Sequence, residues 1–357
     1  MLLFLFVLAA LAFWAERWSE NHALDGVTCR HRPDRRLTEP DAPFYLVTEV
    51  QNASRRFVPF IRIRETVPRE LTLLDEGLQV SAPSKDSVTL LSSVYLMPRQ
   101  LWQRKVQCSL PCRGRFVFQG GSLQGGDFLG LSETTVYLPQ AEEIVVIPAR
   151  CEDPELLDTV GGFLGDRSVD RFIQEDPVLT LGFRDYTGRE PMKSISWTQS
   201  ARSGRLMVKK YDYTLELTAT VVMNIEISHE QPGWETRLEK CFSLARTVCE
   251  TLEEKHIQYR FLTNASAAGA FRLWSSVSDG LSQAHLDTIL EGLGRATYDY
   301  VRPFDVILAQ AARGAEQGRT HILILPERDP RYEEGIRRLE QLSGTRVLVL
   351  TPKEAQS

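Results

Sequence analysis

Between residues 44 and 148 the chain breaks into short runs: FYLVTEVQN, FVPFIRIRETV, SVTLLSSVYLM, RKVQCSL, RGRFVFQG, TTVYL and EIVVIP. Within them apolar and polar residues alternate or gather in β-branched clusters, and turn-forming residues separate one run from the next. A period of two sends successive side chains to opposite faces, so each run suits a half-buried strand. Strands in such number, with no long helical pattern among them, predict a β-sandwich with an immunoglobulin-like strand count.

Past Thr218 the period changes. TATVVMNIEI is a continuous apolar run, suited to a strand buried on both faces. Leu238, Cys241, Phe242, Ala245, Val248, Cys249 and Leu252 then recur at helical spacing, with Arg and Glu opposite. QYRFLTNA, HILILP and RVLVL read as further strands, and residues 282–297 and 332–343 as helices. That alternation predicts a parallel sheet covered by helices in the doubly wound manner. Residues 151–217 form a connecting segment in which Gly161, Gly162, Gly165 and Pro177 interrupt any regular pattern. With 357 residues the chain exceeds one ordinary core.

Residues 1–15, MLLFLFVLAALAFWA, carry no charge. As a helix they would span roughly 23 Å against a hydrocarbon core of roughly 30 Å, so an anchor needs Trp14 and Trp18 at the interface and Arg17 snorkelling. A secretory signal is the competing reading. Ala10-Leu11-Ala12 offers it a small-residue site, although no Lys or Arg precedes the run. A third reading makes the run the second half of a helical hairpin. Arg17, Arg30, Arg32, Arg35 and Arg36 all follow it, which predicts a single-pass anchor in the cell membrane with the soluble domains cytoplasmic. Extracellular adhesion would need the opposite orientation.

The formal net charge of -5 opposes broad nucleic-acid binding, which needs a basic surface. Cys29, Cys108, Cys112, Cys151, Cys241 and Cys249 include no C-x-x-C pair of the zinc-holding kind. They read as structural or incidental thiols, kept reduced in a cytoplasmic setting.

Residues 182–211, GFRDYTGREPMKSISWTQSARSGRLMVKKY, hold seven basic groups against two acidic ones. On charge alone this is a solvated basic loop. The order of residue types is more specific: Arg184-Asp185-Tyr186, Gly188, Ile195, Trp197, Ser200-Ala201-Arg202, Gly204 and Leu206-Met207-Val208. In this order, together with Arg113-Gly114-Arg115-Phe116 and Gly126-Asp127-Phe128-Leu129-Gly130-Leu131, the chain resembles the domain of unknown function 58 family. The resemblance implies an α+β multi-domain fold: an N-terminal membrane helix in residues 1–18, a β-sandwich-like domain in 41–150, the signature segment in 151–217, and a doubly wound von Willebrand factor A-like domain in 218–357. It also implies work beside a MoxR-type AAA+ ATPase and other membrane proteins, in assembly or a chaperone-like process. Arg184, Tyr186, Trp197, Ser200, Arg202, Gly204 and Lys209 are the candidate partner-binding or signature positions. Trp197 is expected to be buried with one hydrogen bond, Arg202 to grip a carboxylate or carbonyls, and Gly204 to allow a tight turn.

Von Willebrand A-like domains commonly end their first strand in Asp-x-Ser-x-Ser, whose oxygens hold Mg²⁺. The matching positions here are Asn224, Glu226 and Ser228. The charged Asp is lost and Glu226 is longer than the Ser it replaces, so the set is degenerate and neither metal nor cofactor is expected. A hydrolase is the alternative class. The sequence lacks a Gly-x-Ser-x-Gly elbow, a His-Glu-x-x-His pair and a phosphate loop, so no catalytic residue is assigned and a binding or scaffold role is expected.

Overall fold

The computed structural model describes residues 24–75, 79–81, 86–126, 133–139, 141–170, 176–188, 192–212, 218–269 and 274–352. In chain order its first strands are β1 (Val27–Pro33), β2 (Leu37–Thr38), β3 (Phe44–Asn52), β4 (Val58–Pro68), β5 (Thr72–Leu73), β6 (Gln79–Ser81), β7 (Ser87–Leu96), β8 (Leu101–Ser109), β9 (Gly114–Gly126), β10 (Glu133–Tyr137) and β11 (Ala141–Val146). There follow α1 (Pro154–Asp170), β12 (Asp176–Asp185), α2 (Trp197–Ser203), β13 (Met207–Asp212), β14 (Thr218–Met223), α3 (Trp234–Glu254), β15 (Gln258–Thr263), β16 (Ala265–Ala267) and β17 (Ser276–Gly280). The last are α4 (Gln283–Arg295), β18 (Ala296–Tyr300), α5 (Phe304–Arg313), β19 (Thr320–Ile324), α6 (Glu333–Ser343) and β20 (Val347–Leu350).

The chain divides into two compact units: Met1–Ala149 with Ala267–Phe271 and Leu290–Ala296, and the remainder. The first is a β-sandwich. One sheet has the order β1-β3-β8-β5, the other β2-β11-β9-β4-β7-β6, with β10 also on β9. β1 runs into the basic stretch that begins at Arg30. Its alternation places Cys29 and His31 inside while Arg30 and Arg32 face out, and it pairs with β3 along its whole length.

The sandwich interior is not continuous oil. Phe44, Leu46, Val67, Leu90, Val106 and Phe118 belong to one apolar cluster, and Val50, Val58, Ile61, Ile63, Leu96 and Leu123 to another. Along β3, β4 and β8 the residue standing between the two clusters is polar: Thr48, Glu65 and Arg104 respectively. Thr48 and Glu65 are wholly buried. The Thr48 hydroxyl and the Arg104 guanidinium both donate to the Glu65 carboxylate, and Arg104 also reaches the Ser92 hydroxyl.

In the second unit a five-stranded sheet runs β17-β15-β14-β19-β20. β15, β14, β19 and β20 are parallel, and β17 is antiparallel to β15. Leu238, Cys241, Phe242, Ala245, Val248, Cys249 and Leu252 are all buried on α3, as the helical spacing predicts. α5 and α6 contribute Phe304, Ile307, Leu308 and Leu339 to a core with Val222, Leu262 and Leu323.

The expected fold class is corrected. Among the described residues strand exceeds helix, 42% against 28%, so they are mostly β-sheet and do not form the expected doubly wound von Willebrand factor A-like domain. No described helix is long and apolar enough to cross a membrane, and the anchor expected in residues 1–18 lies outside the described residues. The C-terminal sheet is mixed where a parallel one was expected. A parallel return needs a crossover, usually a helix. The connection from β15 to β17 carries β16 and no helix among its described residues, and the chain returns antiparallel. The segment 151–217 also differs from a plain connector, since it holds α1, α2 and a two-stranded pair.

Candidate interaction site

The signature residues gather in one small module of the second unit. β12 and β13 pair antiparallel, with Arg184 opposite Val208 and Asp185 opposite Met207. Between them lie a 3-10 turn, Met192–Ser194, and the helix α2. Ile195 bridges to Val208, and both are buried, so the connection folds back on β13. Ser200 fastens that return: its hydroxyl donates to the Ser196 carbonyl and accepts from the Met207 N–H, each at 2.8 Å. The Tyr186 N–H donates to the Leu206 carbonyl at 2.8 Å. Gly204 ends α2 in the left-handed region, at φ 68°, with its N–H on the Ser200 carbonyl. A side chain there would meet open space, so the conformation alone calls for glycine.

Trp197 is not buried. It is 61% exposed at the start of a helix that buries none of its residues, because backbone and serine hydrogen bonds hold α2 in place and no apolar face does. Met192 (68%), Leu206 (46%) and Phe183 (41%) are exposed with it. Arg184, Lys193, Arg202 and Arg205 are exposed as well, and Lys209 is half-buried. Arg205 lies 3.5 Å from Asp185. Residue order pointed to Trp197 and Arg202 and included Leu206, whereas Phe183 and Met192 went unnoticed. Their only signal was apolar character within a polar, glycine-punctuated stretch.

The degenerate metal positions sit beyond the end of β14, and their oxygens are already engaged. Asn224 Oδ1 accepts from the Glu226 N–H and from Asn264 Nδ2, each at 2.8 Å. Glu226 Oε2 accepts the Phe304 N–H, 2.9 Å away, at the start of α5, where a carboxylate meets the positive end of the helix dipole. Ser228 is exposed and its hydroxyl accepts from the Glu230 N–H at 3.4 Å. The Asn224 and Glu226 oxygens are thus spent on bonds within the chain. Burial first, and the Glu226 charge second, push the neighbouring Tyr332 hydroxyl up to about 12, which keeps it a neutral phenol.

Asn264 joins two strand ends in this cluster, since its Oδ1 also accepts the buried Ile225 N–H at 2.9 Å. Asn264→Ala would orphan that N–H. It is expected to cost about 1–3 kcal/mol, the usual penalty for a buried donor left unmade, read as a fall in the urea midpoint at unchanged slope.

The thiols are graded by burial. Cys29 and Cys108 are pushed up to about 12 chiefly by burial, and Cys241 and Cys249 are raised by the same cause. Cys112 is exposed and Cys151 half-buried. The thiolate is the reacting species, so a maleimide should modify Cys112 first and Cys151 next, while the other four react only on unfolding. Mass mapping of partly labelled protein checks the order, and early modification of Cys249 would contradict it.

A cleft of about 770 Å³ opens between α1, α6 and β20, lined by Phe163, Ile336 and Leu348 with Arg328, Glu340 and Arg346. Glu340 Oε1 accepts the Val347 N–H there at 3.0 Å, occupying part of the strand's outer edge. Among the described residues no three His, Cys, Asp or Glu side chains cluster as metal ligands.

No protein-family model matches the chain, and no curated protein does. Solved structures similar to part of it include a type I cohesin from Pseudobacteroides cellulosolvens, at 9% identity over 35% of this chain and 96% of that one, with a TM-score of 0.23. A CARDB domain from Pyrococcus furiosus is similar at 10% identity, over 34% and 90%, with a TM-score of 0.23. A PapD-like domain of human CEP192 is similar at 14% identity, over 35% and 87%, with a TM-score of 0.21. The sandwich is established by its own strand pairing, to which these likenesses add no argument.

Proposed function

We propose that the chain is a non-enzymatic binding protein and that the β12–α2–β13 module receives an acidic segment of a protein partner. The observation that carries this reading is Trp197, exposed on a module that also exposes Phe183, Met192 and Leu206 together with Arg184, Lys193 and Arg202. Trp, Met and Arg are the residue types enriched where protein interfaces bury their centres. The resemblance to the domain of unknown function 58 family makes a MoxR-type AAA+ ATPase the first partner to try, in assembly or chaperone-like work at the cytoplasmic face of the cell membrane.

Binding of the full chain to a purified MoxR-type ATPase, followed by interferometry, tests this. Truncation of a central tryptophan removes at least about 2 kcal/mol, so Trp197→Ala should weaken binding about thirtyfold. The melting temperature should stay unchanged, because the side chain is exposed. Equal binding by wild type and Trp197→Ala would sink the site. No binding by either would remove the ATPase as partner, and photo-crosslinking from position 197 would then show whether an acidic protein contacts the module.

A further inference from the structure

One end of the sandwich exposes aromatic, thioether and guanidinium side chains. The loop from β3 to β4 and the turn from β7 to β8 meet there, and the buried Asn52 fastens both. Its Nδ2 donates to the Arg56 carbonyl at 2.7 Å and to the Met97 carbonyl at 3.0 Å. The Arg99 N–H adds a bond to the Ser54 carbonyl at 3.0 Å. On this fixed platform Tyr95 is 60% and Met97 52% exposed, and the Phe57 ring stands 6.3 Å from that of Tyr95. Arg55 and Arg99 are exposed beside them, and Arg56 lies 3.4 Å from Asp25. Arg99 holds φ at 58°, a conformation that glycine or asparagine adopts more cheaply.

We propose that this end docks on an anionic lipid surface. Rings and a thioether seated among headgroups, with guanidinium groups pairing to phosphate, are the chemistry of a membrane interface. The path of the chain supports this occupant over others. Leu24 packs at this same end, against the cluster that holds Val58 and Leu96, and the Ala53 N–H donates to the Gly26 carbonyl at 2.8 Å. The uncharged stretch of residues 1–15 lies nine residues upstream of Leu24, which limits its distance from this end to about 32 Å. The inference rests on the membrane location proposed above and adds to it the surface that touches the lipid.

The test uses the full chain with Cys112 and Cys151 replaced by serine, carrying an environment-sensitive fluorophore at Met97→Cys or, as control, at the exposed Leu342→Cys. Vesicles are phosphatidylcholine alone or mixed with phosphatidylglycerol, and melting curves confirm that each variant is folded. On the anionic vesicles the probe at position 97 should shift to the blue and be quenched from lipid, while the probe at 342 should not respond. Each arginine near an anionic surface contributes about 1 kcal/mol, so Arg55→Gln with Arg99→Gln should lower the docked-to-undocked ratio about thirtyfold. A chain that floats with vesicles but leaves position 97 in water overturns the docking surface alone. A chain that does not float overturns the membrane location and the docking with it. A response at 97 that follows protein concentration and not lipid charge would mean that a second copy covers the patch, which overturns the lipid occupant.

Discussion

Arg104→Met is expected to destabilise the sandwich by about 3–5 kcal/mol, the usual cost of removing one partner from a buried ion pair. Glu65 is wholly buried, and its two oxygens are met by the Thr48 hydroxyl and the Arg104 guanidinium. Arg104 also lies over the Trp102 ring, 5.9 Å from its centroid. Methionine fills much of the same volume but leaves a carboxylate charge in the interior without a counter-charge. The double replacement Glu65→Leu with Arg104→Met substitutes packing for charge and should recover most of the loss. Urea unfolding of the wild type and the two variants decides the matter. If Arg104→Met costs under about 1 kcal/mol, the magnitude of an exposed pair, the layer is not a buried ion pair in energetic terms.

The second large effect is expected at Gly121, where β9 crosses the centre of its sheet against β4. The register slips between the pairs Glu65–Gly121 and Thr66–Gln119, which leaves an extra residue on β9. A Cβ on Gly121 would lie 1.8 Å from the Arg64 carbonyl oxygen and 3.2 Å from Glu65 Cα. Both obstacles are backbone in a central strand, so no side-chain rotation relieves them. Gly121→Ala is therefore expected to cost about 3 kcal/mol or more, the upper range for overpacking. Gly125→Ala on the same strand is the comparison. There the nearest atoms, at 2.7 and 2.8 Å, belong to the Leu24 side chain, which can turn aside, so the cost should be clearly smaller. Equal costs at the two positions would show that β9 shifts freely and that the bulge is soft.

Much of the sandwich was legible because its strands obey a period of two. FYLVTEVQN corresponds to β3 residue for residue, and SVTLLSSVYLM overruns β7 by a single residue. β1 was hidden by composition: Arg30 and Arg32, which face out, were read only as charges flanking the apolar run, and the alternation with Cys29 and His31 was missed. α1 was hidden by Gly161 and Gly162, which weaken a helix without forbidding it. α5 carries its apolar face on Phe304, Ile307, Leu308 and Ala311, a spacing that was present and went unread. β17 could not be foreseen, since SVSDG has little strand character and gains its place from β15. The Glu65–Arg104 pair was equally out of reach, because it joins residues on different strands whose registry only the closed sheets define. At the signature segment residue order located the module, but it could not tell inward from outward, and Trp197 fell on the side not expected.

The strand β20 has a consequence for solubility. Val347–Leu350 reads VLVL at the end of the sheet order β17-β15-β14-β19-β20, and an apolar strand at a sheet edge presents N–H and C=O groups to which another chain can pair. Glu340, reaching across from α6 to the Val347 N–H, takes one of the groups such a pairing would use and sets a negative charge beside it. The residue thus acts as a gatekeeper against aggregation, and the sheet's resistance to edge-to-edge growth depends on α6 staying wound.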